Sequence, residues 1–215
     1  TPTKTGIYLV LDKSGSMLNQ VSKTISGYNK FVEEQKSIEG EALLSTILFD
    51  GRVSTLFTNK NIKNVETLTS NQYVPGGGTA LLDAIGETIN RAKRDQESLK
   101  LDKVVVAILT DGEENSSSDF TYQQCKALIE DQESKGWDVL FLGANIDVAK
   151  EASRLGLRSA KVVNMSTAYK SGDLDAVYSA VSRGIGISRA GASLDAVGGL
   201  ERLVEAAVSE KHHSV

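Results

Sequence analysis

The chain has 215 residues, 24% of them charged and 40% hydrophobic, and a formal net charge of −4. That length holds one sizeable α/β domain and is short for two, and the composition is ordinary for a soluble globular fold. The mild acidity and the lack of a Lys/Arg stripe argue against a nucleic-acid partner, and no apolar run approaches the ~20 residues of a membrane span.

The sequence opens Thr-Pro-Thr-Lys-Thr, with neither an initiator Met nor a signal-peptide core, and we read it as a trimmed end. Five consecutive apolar residues, Ile7, Tyr8, Leu9, Val10 and Leu11, then run into Asp12 and a polar Ser-Gly-Ser turn. A short continuous apolar run bounded by turn residues predicts a strand buried on both faces. Leu18, Val21, Ile25, Tyr28 and Val32 recur at helical spacing, predicting a helix over about 18–37. A second strand over 42–49 and a third over 52–57 flank Asp50-Gly51. That dipeptide predicts a tight hairpin with both turn residues at positive φ. Asp50 is read as a turn residue, with an outer role at a nearby site as the lesser alternative. Residues 59–74 are polar and irregular, with a helical turn expected at 65–68. They lead to Gly76-Gly77-Gly78, which lets the main chain approach a neighbour closely. Thr79 follows, then a helix from about Ala80 that buries Leu81, Leu82, Ile85 and Ile89.

Val104 to Leu109 predicts a fourth buried strand running into Thr110-Asp111-Gly112. The helix expected over 122–135 buries Tyr122, Cys125, Leu128 and Ile129, so Cys125 reads as a packed, unreactive core residue. A fifth strand over 136–143 precedes a short helix through Arg154, with Asn145 and Asp147 as its capping residues. A sixth strand over 160–164 is followed by helical patterns only. The first, 173–185, is expected to close the sheet. The last, 194–208, carries Leu194, Val197, Leu200, Val204 and Val208, and either folds back or docks on another chain. The chain thus divides into a main domain over 1–189 and a helical extension over 190–215.

Alternating strands and helices with buried strands argue for a doubly wound α/β fold. Asp12, Ser14, Ser16, Thr79 and Asp111 all fall on strand-to-helix connections. Two carboxylates and three hydroxyls are hard oxygen donors of the kind Mg²⁺, Mn²⁺ or Ca²⁺ takes. Each has a plainer reading: Asp12, Asp111, Ser16 and Thr79 as helix caps, Ser14 and Ser16 as turn residues. All five in order at strand ends are better explained by a cation. The only histidines, His212 and His213, sit near the C-terminus, where fraying is expected, and Cys125 is alone. Ser-His-Asp, Cys-His and His/Cys zinc arrangements are therefore disfavoured. No Gly-x-Gly-x-x-Gly or Gly-x-x-x-x-Gly-Lys marks a nucleotide site.

Asp-x-Ser-x-Ser, a distant Thr after a Gly triplet, and a distant Asp followed by Gly together resemble the von Willebrand factor type A (VWA) domain and its metal-ion-dependent adhesion site, over roughly residues 6–165. The resemblance implies a mostly parallel six-stranded sheet in the order 3-2-1-4-5-6, strand 3 antiparallel at one edge, with helices on both faces. It implies Mg²⁺ or Mn²⁺, ahead of Ca²⁺, at Asp12, Ser14, Ser16, Thr79 and Asp111. The carboxylates would act partly through water, leaving a coordination position for a carboxylate of a partner protein. In that order strands 1 and 4 are neighbours where the winding reverses, and such switch points bind ligands. Glu113, Glu114 and Asp119 are expected to ring the site. The function expected is a divalent-cation-dependent protein-binding module, not an enzyme, of a cytoplasmic bacterial or phage type. The lone cysteine suits a reducing compartment. One alternative is a Mg²⁺-dependent phosphoesterase, but Asp-Lys-Ser lacks the second Asp of an Asp-x-Asp pattern and offers only Lys13 to a phosphate. The other is an assembly subunit with a structural metal, self-associating through its last helix.

Overall fold

The computed structural model describes residues 3–214. Strand β1, Lys4–Asp12, is the centre of the sheet, and its five apolar residues are 0–1% exposed. Ile7, Leu9 and Leu11 enter one core, while Tyr8 and Val10 enter the other. A strand covered on both faces has no polar side to show, hence the unbroken apolar run. Each such side chain contributes roughly 1.5–3 kcal/mol by burial.

The remaining strands are β2 (Glu41–Phe49), β3 (Val53–Asn61), β4 (Lys103–Thr110), β5 (Asp138–Gly143) and β6 (Val162–Asn164). They form one sheet in the order β3-β2-β1-β4-β5-β6, parallel except for the antiparallel β2–β3 pair. The helices are α1 (Val21–Lys36), α2 (Leu81–Leu99), α3 (Tyr122–Ser134), α4 (Val148–Arg154), α5 (Ser166–Ser171), α6 (Leu174–Arg189) and α7 (Leu200–His213). Helices α1, α6 and α7 supply the core on the Leu9 face, and α2 and α3 that on the Val10 face. This is the doubly wound arrangement expected. Among the described residues no helix is long and apolar enough to cross a membrane.

Several local expectations are corrected. Leu18 does not join the buried stripe and is 61% exposed. Residues Gly15–Gln20 form a 3₁₀ helix, whose three residues per turn put Leu18 out of register with α1. The β2–β3 hairpin exists, but neither Asp50 nor Gly51 has positive φ. Phe49 pairs with Val53 across a three-residue loop, closed by Asp50 Oδ1 accepting from the Arg52 amide at 2.9 Å. Strand β3 runs on to Asn61 rather than stopping at Phe57, because a register shift near Ser45 accommodates Asn59 at φ 50°. Residues 65–68 are not helical. The turn lies at Ile62–Asn64, and Val65 and Leu68 are buried beyond it. Asp147 does cap α4, but Asn145 instead takes a left-handed conformation at φ 59°.

Helix α6 lies against α1 where Gly27 leaves room for Tyr178: a methyl there would sit 2.6 Å from its ring. The buried Arg189 guanidinium reinforces this contact by donating to Gln35 O at 3.1 Å, Gln35 Oε1 at 2.9 Å and Gly40 O at 3.1 Å. Helix α7 folds back on α6, burying Leu200, Val204 and Ala207 and pairing Glu210 with Arg183 at 2.7 Å. The end of α7 is not frayed at His212, whose Nε2 lies 2.9 Å from Asp173 Oδ2.

Candidate metal centre

β1 and β4 are parallel neighbours, and they end at Asp12 and at Thr110-Asp111. Asp12 is 1% exposed and Asp111 2%. Asp12 Oδ2 accepts from Thr110 Oγ1 at 2.8 Å and from the Asp111 amide at 3.3 Å, and Oδ1 accepts from the Ser14 amide at 2.7 Å. Ser16 Oγ donates to Asp111 Oδ1 at 2.6 Å, and Ser14 Oγ lies 3.0 Å from Ser16 Oγ. Since the single Ser16 proton serves Asp111, Ser14 must be the donor to Ser16. Thr79 faces the same crevice: a methyl on Gly112 would lie 3.4 Å from Thr79 Oγ1 and 3.9 Å from Ser16 Oγ. The fold thus gathers Asp12, Ser14, Ser16, Thr79 and Asp111 at the point where its winding reverses.

Two loops hold Thr79. Gly15 N donates to Gly77 O at 3.1 Å, and Gly76 N to Lys13 O at 2.9 Å, joining the Asp-Lys-Ser turn to the glycine loop. Gly77 has φ 79°, and a side chain on Gly78 would collide with Ser116. Asn115 then brackets Thr79, its Oδ1 accepting from Thr79 N at 2.9 Å and its N donating to Thr79 O at 3.0 Å. The loop after Asp111 is clamped to the start of α2. Asp83 accepts from the amides of Ser118, Asp119 and Phe120, each at 2.9 Å. Glu114 does not ring the site: its carboxylate accepts from Leu82 N at 3.1 Å and Ser117 N at 3.0 Å. Glu113 and Asp119 are exposed on this loop. Asn115, Asp83, Tyr73 and Tyr169 all went unread in the sequence. The Tyr73 hydroxyl donates to Asp12 O, and that of Tyr169 to Asp111 Oδ2 at 2.6 Å. These contacts join residues 35 to 61 positions apart, which no local pattern records.

The model of the von Willebrand factor type A domain matches residues 6–182. The chain belongs to this family. No curated protein matches the sequence. Among solved structures, this VWA domain is similar to proximal thread matrix protein 1 from the mussel byssus, with TM-score 0.60 and 17% identity. That alignment covers 87% of this chain but 47% of the mussel chain, so our chain spans about half of it. The pilus adhesin SpaC of Lactobacillus rhamnosus GG aligns with TM-score 0.64 and 14% identity over 86% of this chain and 30% of its own. The TRAP protein of Plasmodium vivax, solved manganese-loaded, aligns with TM-score 0.53 and 15% identity over 79% and 72%. At such identities the likeness is one of fold.

VWA domains often hold a divalent cation, and the residues here fit one. Two buried carboxylates lie side by side, yet Lys13 turns away to Asp50 at 3.5 Å. Burial raises the Asp12 pKa, and the charge of Asp111 adds to the rise, against hydrogen bonds from Ser14 and Thr110 that lower it. Paired buried acids without a basic partner are costly unless a cation joins them. Among the described residues no three His, Cys, Asp or Glu cluster as metal ligands. The donor set is instead two acids with three hydroxyls, a hard-oxygen set. Cys125 is fully buried, its Sγ donating to Leu82 O at 3.3 Å, and burial pushes its pKa up to about 12.

Proposed function

We propose that this VWA domain is a divalent-cation-dependent protein-binding module. Ser14, Ser16 and Thr79 would hold Mg²⁺ or Mn²⁺ with Asp12 and Asp111, and the bound ion supplies the positive charge that a partner's carboxylate seeks. The observation that carries this reading is the pair of buried carboxylates at the switch point, with three hydroxyls and, among the described residues, no basic side chain paired with them. Glu114 does not fill the surroundings, since its carboxylate is spent on α2.

A protein partner is favoured over a small ester by the rim of the crevice. Leu18, on the 3₁₀ helix that follows the Asp-Lys-Ser turn, and Val74, two residues before Gly76, are 61% and 60% exposed. Exposed apolar side chains beside a polar centre suit a macromolecular contact. The phosphoesterase alternative loses its one candidate phosphate-binding cation, because Lys13 is paired with Asp50. The folded-back α7 spends its apolar stripe within the chain, which weakens the assembly alternative. A cytoplasmic location is part of this proposal, on the strength of the single buried cysteine.

The test is calorimetric titration of peptides bearing one Glu or Asp among neutral, apolar or basic residues. Binding should occur in Mn²⁺ or Mg²⁺, vanish with chelator, return on adding the ion, and be absent in Asp111→Ala. Equal affinity with and without chelator would remove the ion from the mechanism.

A further inference from the structure

Tyr169 lies on the short helix α5, outside the sequence motif, yet its hydroxyl donates to Asp111 Oδ2 at 2.6 Å. Asp111 Oδ1 already accepts from Ser16 Oγ at 2.6 Å. A carboxylate with one donor on each oxygen cannot rotate about its terminal torsion without breaking a charge-assisted bond. The same phenol oxygen lies 3.0 Å from Ser16 O, so it also touches the turn that carries two of the hydroxyl donors.

The helix that presents Tyr169 is itself pinned on both sides. On the site side, Gln20 Nε2 donates to Tyr169 O at 3.3 Å. Just beyond α5, Asp173 accepts from Ser171 Oγ at 2.6 Å and holds Lys211 Nζ at 3.0 Å and His212 Nε2 at 2.9 Å. Lys211 Nζ also reaches Gly172 O at 3.3 Å. Asp173 is 3% exposed, while its partners Lys211 and His212 remain partly open to solvent.

We propose that Tyr169 is a positioning residue for the cation site, fixing the Asp111 carboxylate in the orientation that the ion requires. This inference rests on the reading of the crevice as a divalent-cation site. Groups that orient a metal ligand from behind typically account for 10–100-fold in metal affinity. The effect depends on the ion. Mg²⁺ demands near-ideal octahedral geometry, whereas Ca²⁺ accepts a flexible shell of six to eight oxygens. Loss of orientation at Asp111 therefore costs Mg²⁺ more than Ca²⁺.

The experiment is calorimetric titration of the metal-free protein with MgCl₂ and, separately, CaCl₂, for wild type, Tyr169→Phe and Asp111→Ala. Tyr169→Phe keeps the ring and removes only the donor, and its circular dichroism and thermal midpoint without ion report on the fold. The expected result is a loss of Mg²⁺ affinity of about tenfold or more, with a smaller loss for Ca²⁺, in a protein with an unchanged midpoint. Affinity for both ions equal to wild type, or stronger, overturns the assignment of Tyr169 while leaving the cation site standing. Equal losses for both ions accompanied by a lowered midpoint overturn it too, since a structural role alone produces that pattern. If wild type itself takes up neither ion, the cation reading fails, and the positioning role falls with it.

Discussion

Two acid pairs lie at opposite ends of the same sheet, and the protein treats them differently. At the amino end, Asp138 opens β5 beside Glu133, and both are neutralised: Lys161 Nζ lies 2.6 Å from Glu133 and 2.9 Å from Asp138, and Lys103 Nζ lies 2.9 Å from Asp138. Burial pushes Asp138 up, but hydrogen bonds from Ser188, Lys103 and Lys161 outweigh it and hold its pKa below the usual carboxylate range. At the carboxyl end, Asp12 and Asp111 are buried more deeply and receive hydroxyl and amide donors, yet Asp12 is shifted upward. The first pair is a finished ion cluster. The second has the hydrogen bonds but, among the described residues, no lysine or arginine paired with it. On the reading proposed above, a chain that places lysines accurately at one end and withholds them at the other leaves the second site to an external ion, at some cost to its own stability.

The largest expected effect breaks the finished cluster. Lys161→Met strands Glu133 beside Asp138 and should cost about 3–5 kcal/mol, read as a fall in the urea midpoint. A loss below about 1 kcal/mol would mean that the two ends differ less than their geometry indicates.

A second prediction uses pH. Because the folded pKa of Asp138 lies below its ordinary value of 3.8, the native state binds fewer protons there than the unfolded chain. Its contribution is therefore complete above 3.8 and is lost as pH falls through the lower, folded value. Asp138→Asn should be destabilised by on the order of 1–3 kcal/mol at neutral pH. The gap to wild type should close in acid. A gap that stays constant across that range would show that the ionised form matters little.

The smallest effect on stability is expected at the other end. Without ion, Asp111→Asn removes one of two like charges and should change stability by no more than about 1 kcal/mol, with an increase as acceptable as a decrease. A loss comparable to that of Lys161→Met would make Asp111 a structural residue.

Much of this contrast was legible in the sequence, and the rest was not, for physical reasons. The apolar runs of β1 and β4 announce buried strands, so their polar ends, Asp12 and Asp111, could be placed together once the winding order was known. Thr79 follows three glycines, whose conformational freedom is itself a local signal. Tyr169 gives no such signal, since it lies in a stretch that reads only as generic helix, and Asp111 is 58 positions away. The Lys161–Asp138 cluster is likewise a product of tertiary placement. Leu18 misled because it continues the periodicity of α1 into a segment that folds as 3₁₀ helix. Glu114 misled because acidity near the site was visible, but its direction toward the α2 amides was not.

The most direct test of the central claim is the thermal midpoint of the metal-free protein as MgCl₂, MnCl₂ or CaCl₂ is added. An ion bound only by the folded state stabilises by about 2.7 kcal/mol at a hundred times its dissociation constant. For a chain of this size that is a rise of roughly 5–10 °C. The account predicts that rise for wild type, its reversal by chelator, and its absence in Asp111→Asn. A wild-type midpoint that stays the same in all three salts and in chelator would contradict it.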